Sequence, residues 1–205
     1  MSKPSIVKQS RREGYALHPK AVKAMAKRTA LPGANASAGR GMRNKASQYS
    51  LQLREKQKVK RLYGLLERQF ENLMTEATRI EGQSGQNLLR LLEQRLDNAV
   101  YRAGFAPSRP AARQLVTHGH FMLNGRRVDI PSIRLKVGDE IVARPHSANN
   151  SYFARIDEVS PAGEIVLSWM KVDRKKLTAK VTGMPTREEA EPEIKEQLIV
   201  EYYSR

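Results

Sequence analysis

The amino-acid sequence predicts an α+β protein, in which a mainly helical first domain is interrupted by a module of two short helices packed on a small antiparallel sheet. Apolar residues recur every three or four positions from residue 48 to 81 and again from Ile194 to Tyr202, as one face of a helix requires. Between these stretches, Asn124-Gly125 separates two short β-prone runs. This dipeptide is well suited to a type I′ hairpin turn, which needs positive φ at both central residues.

The charge of the chain is concentrated near its N-terminus. The 205 residues include 37 Lys and Arg against 21 Asp and Glu, a formal net charge of +16. Residues 1–61 hold 16 of the basic and two of the acidic side chains. Such a charge implies a polyanionic partner or an anionic surface. Residues 1–47 show no apolar period, so we expect an extended basic arm that orders only when it binds nucleic acid.

A helical domain is predicted for residues 48–93. Its apolar stripe consists of Val59, Leu62, Leu66, Phe70, Leu73 and Ala77. A cluster of cations stands at its start, namely Arg54, Lys56, Lys58, Lys60 and Arg61. Like charges four residues apart destabilise a helix, so Lys56 with Lys60 favours a phosphate-binding face. The turn-forming residues 81–86 predict a hinge before the module.

Residues 180–205 are expected to complete this helical domain. Acidic residues from Thr186 to Glu191 indicate the start of a helix, and the last apolar stripe contains Ile194, Leu198, Ile199 and Tyr202. Because so short a helix is not stable alone, we expect it to pack on the helices of residues 48–81. The first domain is then discontinuous.

The inserted module, residues 94–179, begins with two helical patterns. A stripe of Leu91, Leu92, Leu96, Ala99 and Val100 leads to Gly104, a suitable residue to end a helix. The second helix has Ser108 as its N-cap and Pro110 in its first turn, and it ends before Gly119.

The strands of the module follow the second helix. Residues 121–128 predict a hairpin around Asn124-Gly125, and residues 136–142 predict a turn and a strand. Alternating residues from Tyr152 to Val159 and from Glu164 to Met170 predict two further strands, with a third from Leu177 to Thr182.

Several kinds of chemistry have no support in the sequence. There is no cysteine, and of four histidines only His118 and His120 stand close together, so we expect no metal site. No apolar run reaches the roughly 20 residues that cross a bilayer, and the start lacks a signal-peptide core, so we expect a cytoplasmic protein without a membrane partner. Phosphate-loop and nucleophile-elbow motifs are absent as well. We therefore expect no enzyme, no cofactor and no small-molecule substrate.

The order of the motifs resembles a known family. Arg95–Asn98, Ser108–Val116 and Leu123–Val128 are similar to the RNA-binding domain named after small-subunit ribosomal protein S-four. Four more segments resemble the bacterial members of the S-four family, namely Ser10–Gly14, Leu51–Val59, Tyr63–Phe70 and Glu196–Ser204. The resemblance covers roughly three quarters of the chain. Some relatives bind zinc through cysteines near the N-terminus, a feature that this chain lacks.

The resemblance implies a primary ribosomal RNA (rRNA) binder that recognises a helical junction in the 5′ domain of small-subunit rRNA and nucleates subunit assembly. It also implies a position beside ribosomal protein S5 and near the path by which messenger RNA (mRNA) enters. The matching basic stretch there contains Arg40, Arg43 and Lys45. A stand-alone RNA-binding translation or stress factor with the same module is the alternative.

An enzymatic alternative also has to be weighed, since the same domain occurs in pseudouridine synthases and tyrosyl-tRNA synthetases. Arg95-Leu96-Asp97 is similar to the segment that carries the catalytic aspartate of the synthases. Too few residues follow Arg144 for their catalytic domain. We expect Asp97 to make an ion pair with Arg102 or to cap a helix.

The predicted recognition is electrostatic and based on backbone shape. Eight of the nine basic residues from Arg95 to Arg144 are arginines, whose planar forks can each bridge two phosphate oxygens. We expect Arg109 and Arg113 to project beside Arg126 and Arg127, with Arg134 on the next strand. The complete set predicted to bind rRNA is Arg11, Arg12, Arg54, Lys56, Lys58, Lys60, Arg61, Arg95, Arg102, Arg109, Arg113, His118, Asn124, Gly125, Arg126, Arg127 and Arg134.

Overall fold

The computed structural model describes residues 5–28, 31–32, 47–161 and 167–204. The chain forms two compact units. Unit 1 comprises the residues up to Met74 and those from Ile194 onward, and unit 2 comprises Thr75–Glu193. The helical unit therefore ends earlier than the predicted residue 93 and resumes later than the predicted residue 180. Within the described ranges, no helix is both long and apolar enough to span a bilayer.

Unit 1 is helical. Its helices are α1 (Ile6–Glu13), α2 (Pro19–Lys27), α3 (Gln48–Leu62), the first part of α4 (Glu67–Arg79), and α11 (Glu196–Tyr203). Helix α11 packs along α3, as the sequence predicted. The rings of Tyr49 and Tyr202 stack with centroids 5.9 Å apart. At the start of α11, the Lys195 backbone N–H donates to a Glu55 carboxylate oxygen at 2.9 Å.

The expectation of an unstructured arm is wrong for residues 5–28, which form α1 and α2. Helix α1 begins at the N-cap Ser5 and ends at Gly14, whose φ of 67° closes the helix in the left-handed region. Between the two helices, the Ser10 hydroxyl accepts from the Leu17 N–H at 3.2 Å. Leu17 and Ala21 are buried. The prediction treated residues 1–47 as one stretch, whereas the apolar positions recur within two separate helices of eight and nine residues.

The apolar stripe predicted from residue 48 to 81 is divided between α3 and α4. The chain leaves the helix at Tyr63 and turns through Gly64, with φ of 66°. Most of the stripe is buried, but Leu66 lies in this turn and is 67% exposed, so its predicted place in the core is wrong. The predicted hinge forms a turn between α4 and α5 (Ser84–Glu93), and it is fastened by Asn87, whose side-chain amide donates to three carbonyls at 3.0 to 3.3 Å.

Unit 2 contains the two predicted helices, α6 (Leu96–Arg102) and α7 (Arg109–Thr117). Their predicted ends are confirmed. The Ser108 side chain caps α7, and Gly104 and Gly119 follow α6 and α7 with φ of 74° and 69°. The stripe from Leu91 to Val100 is not one helix, however. Between α5 and α6 the chain extends at Arg95, which forms a backbone bridge with Arg134.

A five-stranded antiparallel sheet packs against α6 and α7. Its strands are β1 (Phe121–Leu123), β2 (Arg126–Val128), β3 (Glu140–Ala143), β4 (Met170–Asp173) and β5 (Thr178–Val181), in the spatial order β2-β1-β3-β5-β4. Phe121 on β1, Ile141 on β3 and Ala179 on β5 face the same core as Leu96 and Val100. The α+β fold class is therefore confirmed.

The segment after β3 differs from the prediction. Three short helices follow β3, namely α8 (Pro145–Ala148), α9 (Ser151–Ala154) and α10 (Ile156–Val159). Residues 152–159, which were predicted as a strand, lie in α9 and α10. Phe153 and Ile156, three residues apart, bury their side chains in the core, which suits helical turns. In the predicted strand 164–170, residues 164–166 lie outside the described residues and only Met170 is in a strand.

The end of unit 2 also differs in part from the prediction. The strand predicted from Leu177 to Thr182 is confirmed as β5. The helix predicted to start at Thr186 is not formed. Instead, the Glu189 carboxylate accepts from the Thr186 N–H at 3.0 Å and closes a turn.

Candidate nucleic-acid interface

The β1–β2 hairpin has the geometry that its sequence predicts. Asn124 and Gly125 have φ of 51° and 77°, as a type I′ turn requires. The Asn124 side-chain amide donates to Asp139 at 2.8 Å, and its oxygen accepts from the Glu140 N–H at 2.9 Å. These bonds attach the turn to the beginning of β3. The predicted role of the Asn124 side chain toward RNA is thus replaced by a structural one, since both of its polar atoms are occupied.

Arg126 and Arg127 are the exposed cations of this hairpin. Neither makes an ion pair with a residue in the part of the chain that the structure describes. Arg127 is opposite Met122, and Arg126 is opposite Leu123. Successive residues of a strand point to opposite faces, so Arg126 lies on the core side at the edge of the sheet and Arg127 on the outer side. The two side chains therefore leave this edge strand on opposite faces of the sheet, and the Arg127 guanidinium lies beside Gly119.

Arg109, predicted to face phosphate, belongs to an internal charge cluster. Its side chain is 10% exposed and donates to Glu191 at 2.9 Å and to Asn98 at 2.8 Å. Arg102 donates to both carboxylate oxygens of Glu93 at 2.9 Å. Glu93 is 1% exposed and also accepts from Asn98 at 2.7 Å. Arg102 and Arg109 are thus held by carboxylates, and the cluster fixes the relative position of α5, α6 and α7.

Asp97 holds a second pair of arginines. Arg95 donates to both Asp97 oxygens, at 3.0 and 2.8 Å, and Arg113 donates to one at 3.3 Å. The predicted pair of Asp97 with Arg102 is wrong, because Glu93 takes Arg102. Arg95 is buried, whereas the Arg113 side chain is 40% exposed and makes only one long contact with Asp97. Arg113 can therefore reach an external anion, and Arg95 is structural.

Arg134 was predicted on a strand but lies in the extended segment that bridges to Arg95. Both of its terminal nitrogens bond to the Glu76 carboxylate. Hydrogen bonding by Arg134, reinforced by its charge, lowers the pKa of Glu76 although burial acts to raise it. The same hydrogen bond raises the pKa of Arg134. Its side chain is 38% exposed, so one edge of the guanidinium stays accessible.

His118 is exposed at the C-terminal end of α7, a position open to RNA. Its neighbour His120 is half-buried, with Nδ1 3.0 Å from the Ser147 hydroxyl. Burial, and then the charges of His118 and Arg144, lower the pKa of His120. Among the described residues, no group of three or more His, Asp or Glu side chains is placed to hold a metal ion.

Lys56 and Lys60 on α3 share one acidic partner. Both ammonium groups bond to Glu67 at the start of α4, Lys60 at 2.6 Å. Burial acts to raise the pKa of Glu67, but the hydrogen bonds and charges of the two lysines outweigh it and lower that pKa. The repulsion between Lys56 and Lys60, from which the sequence predicted a phosphate-binding face, is therefore relieved by Glu67 within the protein. Lys56 is also 96% buried, with Nζ 4.6 Å from the Tyr202 ring centre.

The other cations of α3 are likewise paired. Lys58 bonds to Glu55 at 2.8 Å. Arg54 and Arg61 both bond to Glu13 of α1, whose carboxylate is fully buried. Burial raises the pKa of Glu13, although Arg54, Arg61 and Arg12 act to lower it. Arg54 and Arg61 keep 37% and 25% of their side chains exposed, so both anchor α1 and retain a solvent-facing edge.

Helices α1 and α2 add an exposed basic surface. Arg11 and Arg12 lie in the last turn of α1, and Arg12 is exposed. The charge of this region was predicted from the sequence, but its helices were not. The two helices expose five further cations, namely Lys8, Lys20, Lys23, Lys27 and Arg28. The predicted mRNA-facing residues Arg40, Arg43 and Lys45 lie outside the described residues.

Two family models match consecutive segments of the chain. The model of the "Ribosomal protein S4/S9 N-terminal domain" matches residues 3–93, and the model of the "S4 domain" matches residues 94–141. A protein of Clostridioides difficile is 50% identical over 204 residues, which is 97% of this chain and 96% of that protein. Proteins of Chlorobium phaeovibrioides and Roseiflexus castenholzii are 49% and 47% identical, each over 98% of this chain and 97% of its own length. All three are named small ribosomal subunit protein uS4, and the chain belongs to the uS4 family.

Proposed function

We propose that this protein is a structural constituent of the small ribosomal subunit that binds rRNA directly, recognises a helical junction in the 5′ domain and nucleates assembly there. The uS4 family is structural and not enzymatic. Ribosomal membership supports rRNA as the polyanion that the net charge of +16 requires. Binding takes place in the cytoplasm, on the ribosome.

The observation that carries this proposal is the pair of exposed arginines on the β1–β2 hairpin, which make no ion pair with the described residues. Arg126 and Arg127 directly follow the Asn124-Gly125 turn. The Asn124 side chain bonds to Asp139 and to the Glu140 N–H, which attaches the turn to β3. The turn fixes the backbone from which both side chains project, and the planar fork of a guanidinium matches two phosphate oxygens. Both cations are exposed. The hairpin thus presents two neighbouring positive charges on a defined backbone, which suits recognition of backbone shape.

The internal clusters support this surface indirectly. Arg95, Arg102 and Arg109 are held by Asp97, Glu93 and Glu191, so they position α6 and α7 and do not contact phosphate. Arg113 and Arg134 keep 40% and 38% of their side chains exposed. These two are further candidate phosphate contacts on unit 2, with lower weight because each is shared with a carboxylate.

The family resemblance extends the proposal to unit 1. The exposed cations of α1 and α2 increase affinity through counterion release, without sequence preference. Residues 40–45 lie near the path by which mRNA enters, and ribosomal protein S5 is a neighbour. These last two placements depend on the resemblance alone.

The test is the salt dependence of binding to naked small-subunit rRNA. Replacing Arg126→Gln and Arg127→Gln together removes up to two phosphate contacts, so the slope of log affinity against log salt falls in magnitude by about 1 to 2. Arg155→Gln is the matched control in the same unit, because Arg155 is 69% exposed and already paired with Glu158. We expect the control to leave the slope unchanged.

Two results would contradict the proposal. One is an unchanged slope in a double variant that folds normally, which removes the hairpin from the interface. The other is release of the wild-type protein from small subunits by a moderate salt wash. That release would favour a stand-alone RNA-binding factor over a resident structural protein.

A further inference from the structure

The β4–β5 hairpin, residues 170–181, presents a basic surface at the edge of the sheet opposite β2. Met170, Ala179 and Val181 are buried on the core side. Lys171 and Lys180 lie on the other side, are exposed, and stand directly opposite each other in the antiparallel register. Lys175 and Lys176 in the connecting turn are exposed as well.

The facing pair Lys171 and Lys180 is unfavourable for an isolated protein. Like charges directly opposite on neighbouring strands repel and destabilise the sheet. Neither lysine makes an ion pair with any residue in the described ranges. Glu140 is opposite Lys180 on β3, and it is the only acid in this cross-strand row. The row therefore keeps a net positive charge that an external anion would neutralise.

Protection of an exposed sheet edge explains only part of this arrangement. Lysines on edge strands prevent unwanted pairing with other chains, which accounts for Lys171 on β4. Lys180 is on β5, which is paired on both sides by β3 and β4 and needs no such protection. Edge protection therefore accounts for Lys171 but not for Lys180.

The turn that carries Lys175 and Lys176 is held in a strained conformation. Leu177 has a φ of 52°, which is uncommon for a residue other than glycine. Its buried side chain and the bond from the Ala143 N–H to its carbonyl at 3.0 Å keep it there. Arg174 bonds inward to the carbonyls of Gly104 at 2.8 Å and Ser160 at 2.6 Å. The arginine thus fastens the turn, and the lysines remain outside.

We propose that Lys171, Lys175, Lys176 and Lys180 form a second phosphate-binding surface, which holds the backbone of an RNA segment other than the one at the β1–β2 hairpin. A groove of about 580 Å³ is lined by Lys171, Lys175 and Lys180. Asp173, Arg174 and Thr178 also line it, so the groove holds one acid among its cations. Lysine acts as a point charge, so the surface recognises phosphates without reading bases. The inference rests on the proposed function, because it takes rRNA as the bound polyanion.

The two basic surfaces are well separated. β2 and β4 are the outer strands of the sheet, four strand spacings apart, or about 19 Å. Arg127, Lys180 and Lys171 share the outer face by the strand register. One phosphate group cannot reach both edges, so the second surface adds contacts of its own.

The experiment compares the full-length wild type with Lys171→Gln/Lys180→Gln, and with Lys171→Arg/Lys180→Arg as the charge-preserving control. Each is titrated with naked small-subunit rRNA across salt and footprinted with hydroxyl radicals. We expect the glutamine variant to lower the magnitude of the salt slope by about 1 to 2 and to lose a set of protected nucleotides. That set should differ from the nucleotides lost by Arg126→Gln/Arg127→Gln. The arginine control should keep both the slope and the protections.

Failure of this inference can be distinguished from failure of the proposed function. If the wild type shows no salt-dependent rRNA binding, both fail. If the wild type binds and only the hairpin variant Arg126→Gln/Arg127→Gln is impaired, the lysine surface is merely solvated and this inference is overturned. An unchanged rRNA slope with weakened binding of a poly-glutamate peptide would assign the surface to an acidic protein instead.

Discussion

Removing the charge of Glu93 should destabilise unit 2 severely. The Glu93 side chain is 1% exposed and accepts from both Arg102 nitrogens at 2.9 Å and from Asn98 at 2.7 Å. Glu93→Gln keeps the shape of the side chain but removes the charge that Arg102 requires. Its new amide N–H group also points at a guanidinium donor. Arg102 is then left with the more distant Glu191 carboxylate near it.

The expected cost follows from this burial. Breaking a buried ion pair by removing one partner costs about 3–5 kcal/mol, because the remaining charge stays desolvated. Arg102 has a side chain that is 8% exposed, so little solvent is available to it, although Glu191 lies 3.8 Å away and offsets part of the loss. We therefore expect Glu93→Gln to lower the free energy of unfolding by about 3 kcal/mol. With a denaturant dependence of about 2 kcal/mol per molar, the urea midpoint falls by about 1.5 M.

Tryptophan fluorescence measures this unit specifically. The chain has one tryptophan, Trp169, which is 1% exposed and lies in unit 2. Urea unfolding followed by its emission therefore reports the unit that contains Glu93. Glu158→Gln is the matched control, since Glu158 also pairs with an arginine at 2.8 Å but is 67% exposed. Exposed pairs contribute about 0–1 kcal/mol, so this control should leave the midpoint nearly unchanged.

The reasoning is refuted if Glu93→Gln costs no more than Glu158→Gln. A second measurement tests the assignment of Arg102 to structure. Arg102→Met should lower the urea midpoint and leave the salt slope of rRNA binding unchanged. If Arg102→Met instead reduces the slope at unchanged stability, Arg102 contacts phosphate and the internal cluster is not its main role.

Two further predictions concern the hairpin and unit 1. Gly125→Ala should lower the free energy of unfolding by about 1–2 kcal/mol through backbone strain alone, because φ is 77° and nothing lies within 4 Å of the added Cβ. The rRNA affinity should fall as well, although no charge is lost. Urea midpoints and affinities equal to those of the wild type would exclude the strained turn. Because the folded-state pKa of Glu67 is lowered from its usual 4.5, its contribution to stability is present above about pH 4.5 and is lost as the pH falls through the lowered pKa. Glu67→Gln should therefore be less stable than the wild type near pH 7 and approach it in strong acid, as measured by circular dichroism during urea unfolding, whereas a pH-independent difference would contradict the role of the charge.

Local features of the fold were determined by the sequence itself. The Asn124-Gly125 turn, the Ser108 cap and the left-handed Gly104 and Gly119 each depend on residues within about four positions, and all were predicted correctly. The packing of the C-terminal helix on α3 was also predicted, because so short a helix is stable only when its apolar stripe packs against another element. The motifs of the family were sufficient to identify it.

Short elements depended on their surroundings. Residues 152–159 alternate well enough for a strand, yet Phe153 and Ile156 enter the core from helical turns. The small helices α1 and α2 are amphipathic but only eight and nine residues long, and their burial is provided by contacts of residues such as Leu17 and Ala21. Tertiary packing overrides a weak local preference, because burial of a few side chains outweighs the propensity of so few residues.

The choice of which cations face solvent was made only by the tertiary structure. Arg109 is neutralised by Glu191, 82 positions away in the chain, and Arg134 by Glu76, 58 positions away. Arg61 finds Glu13 across 48 positions. A sequence shows how many charges a chain carries, but an ion pair forms over a few ångströms in space, whatever the separation along the chain. The sequence therefore predicted a polyanionic partner, whereas the fold decided that Arg126, Arg127 and the β4–β5 lysines are exposed.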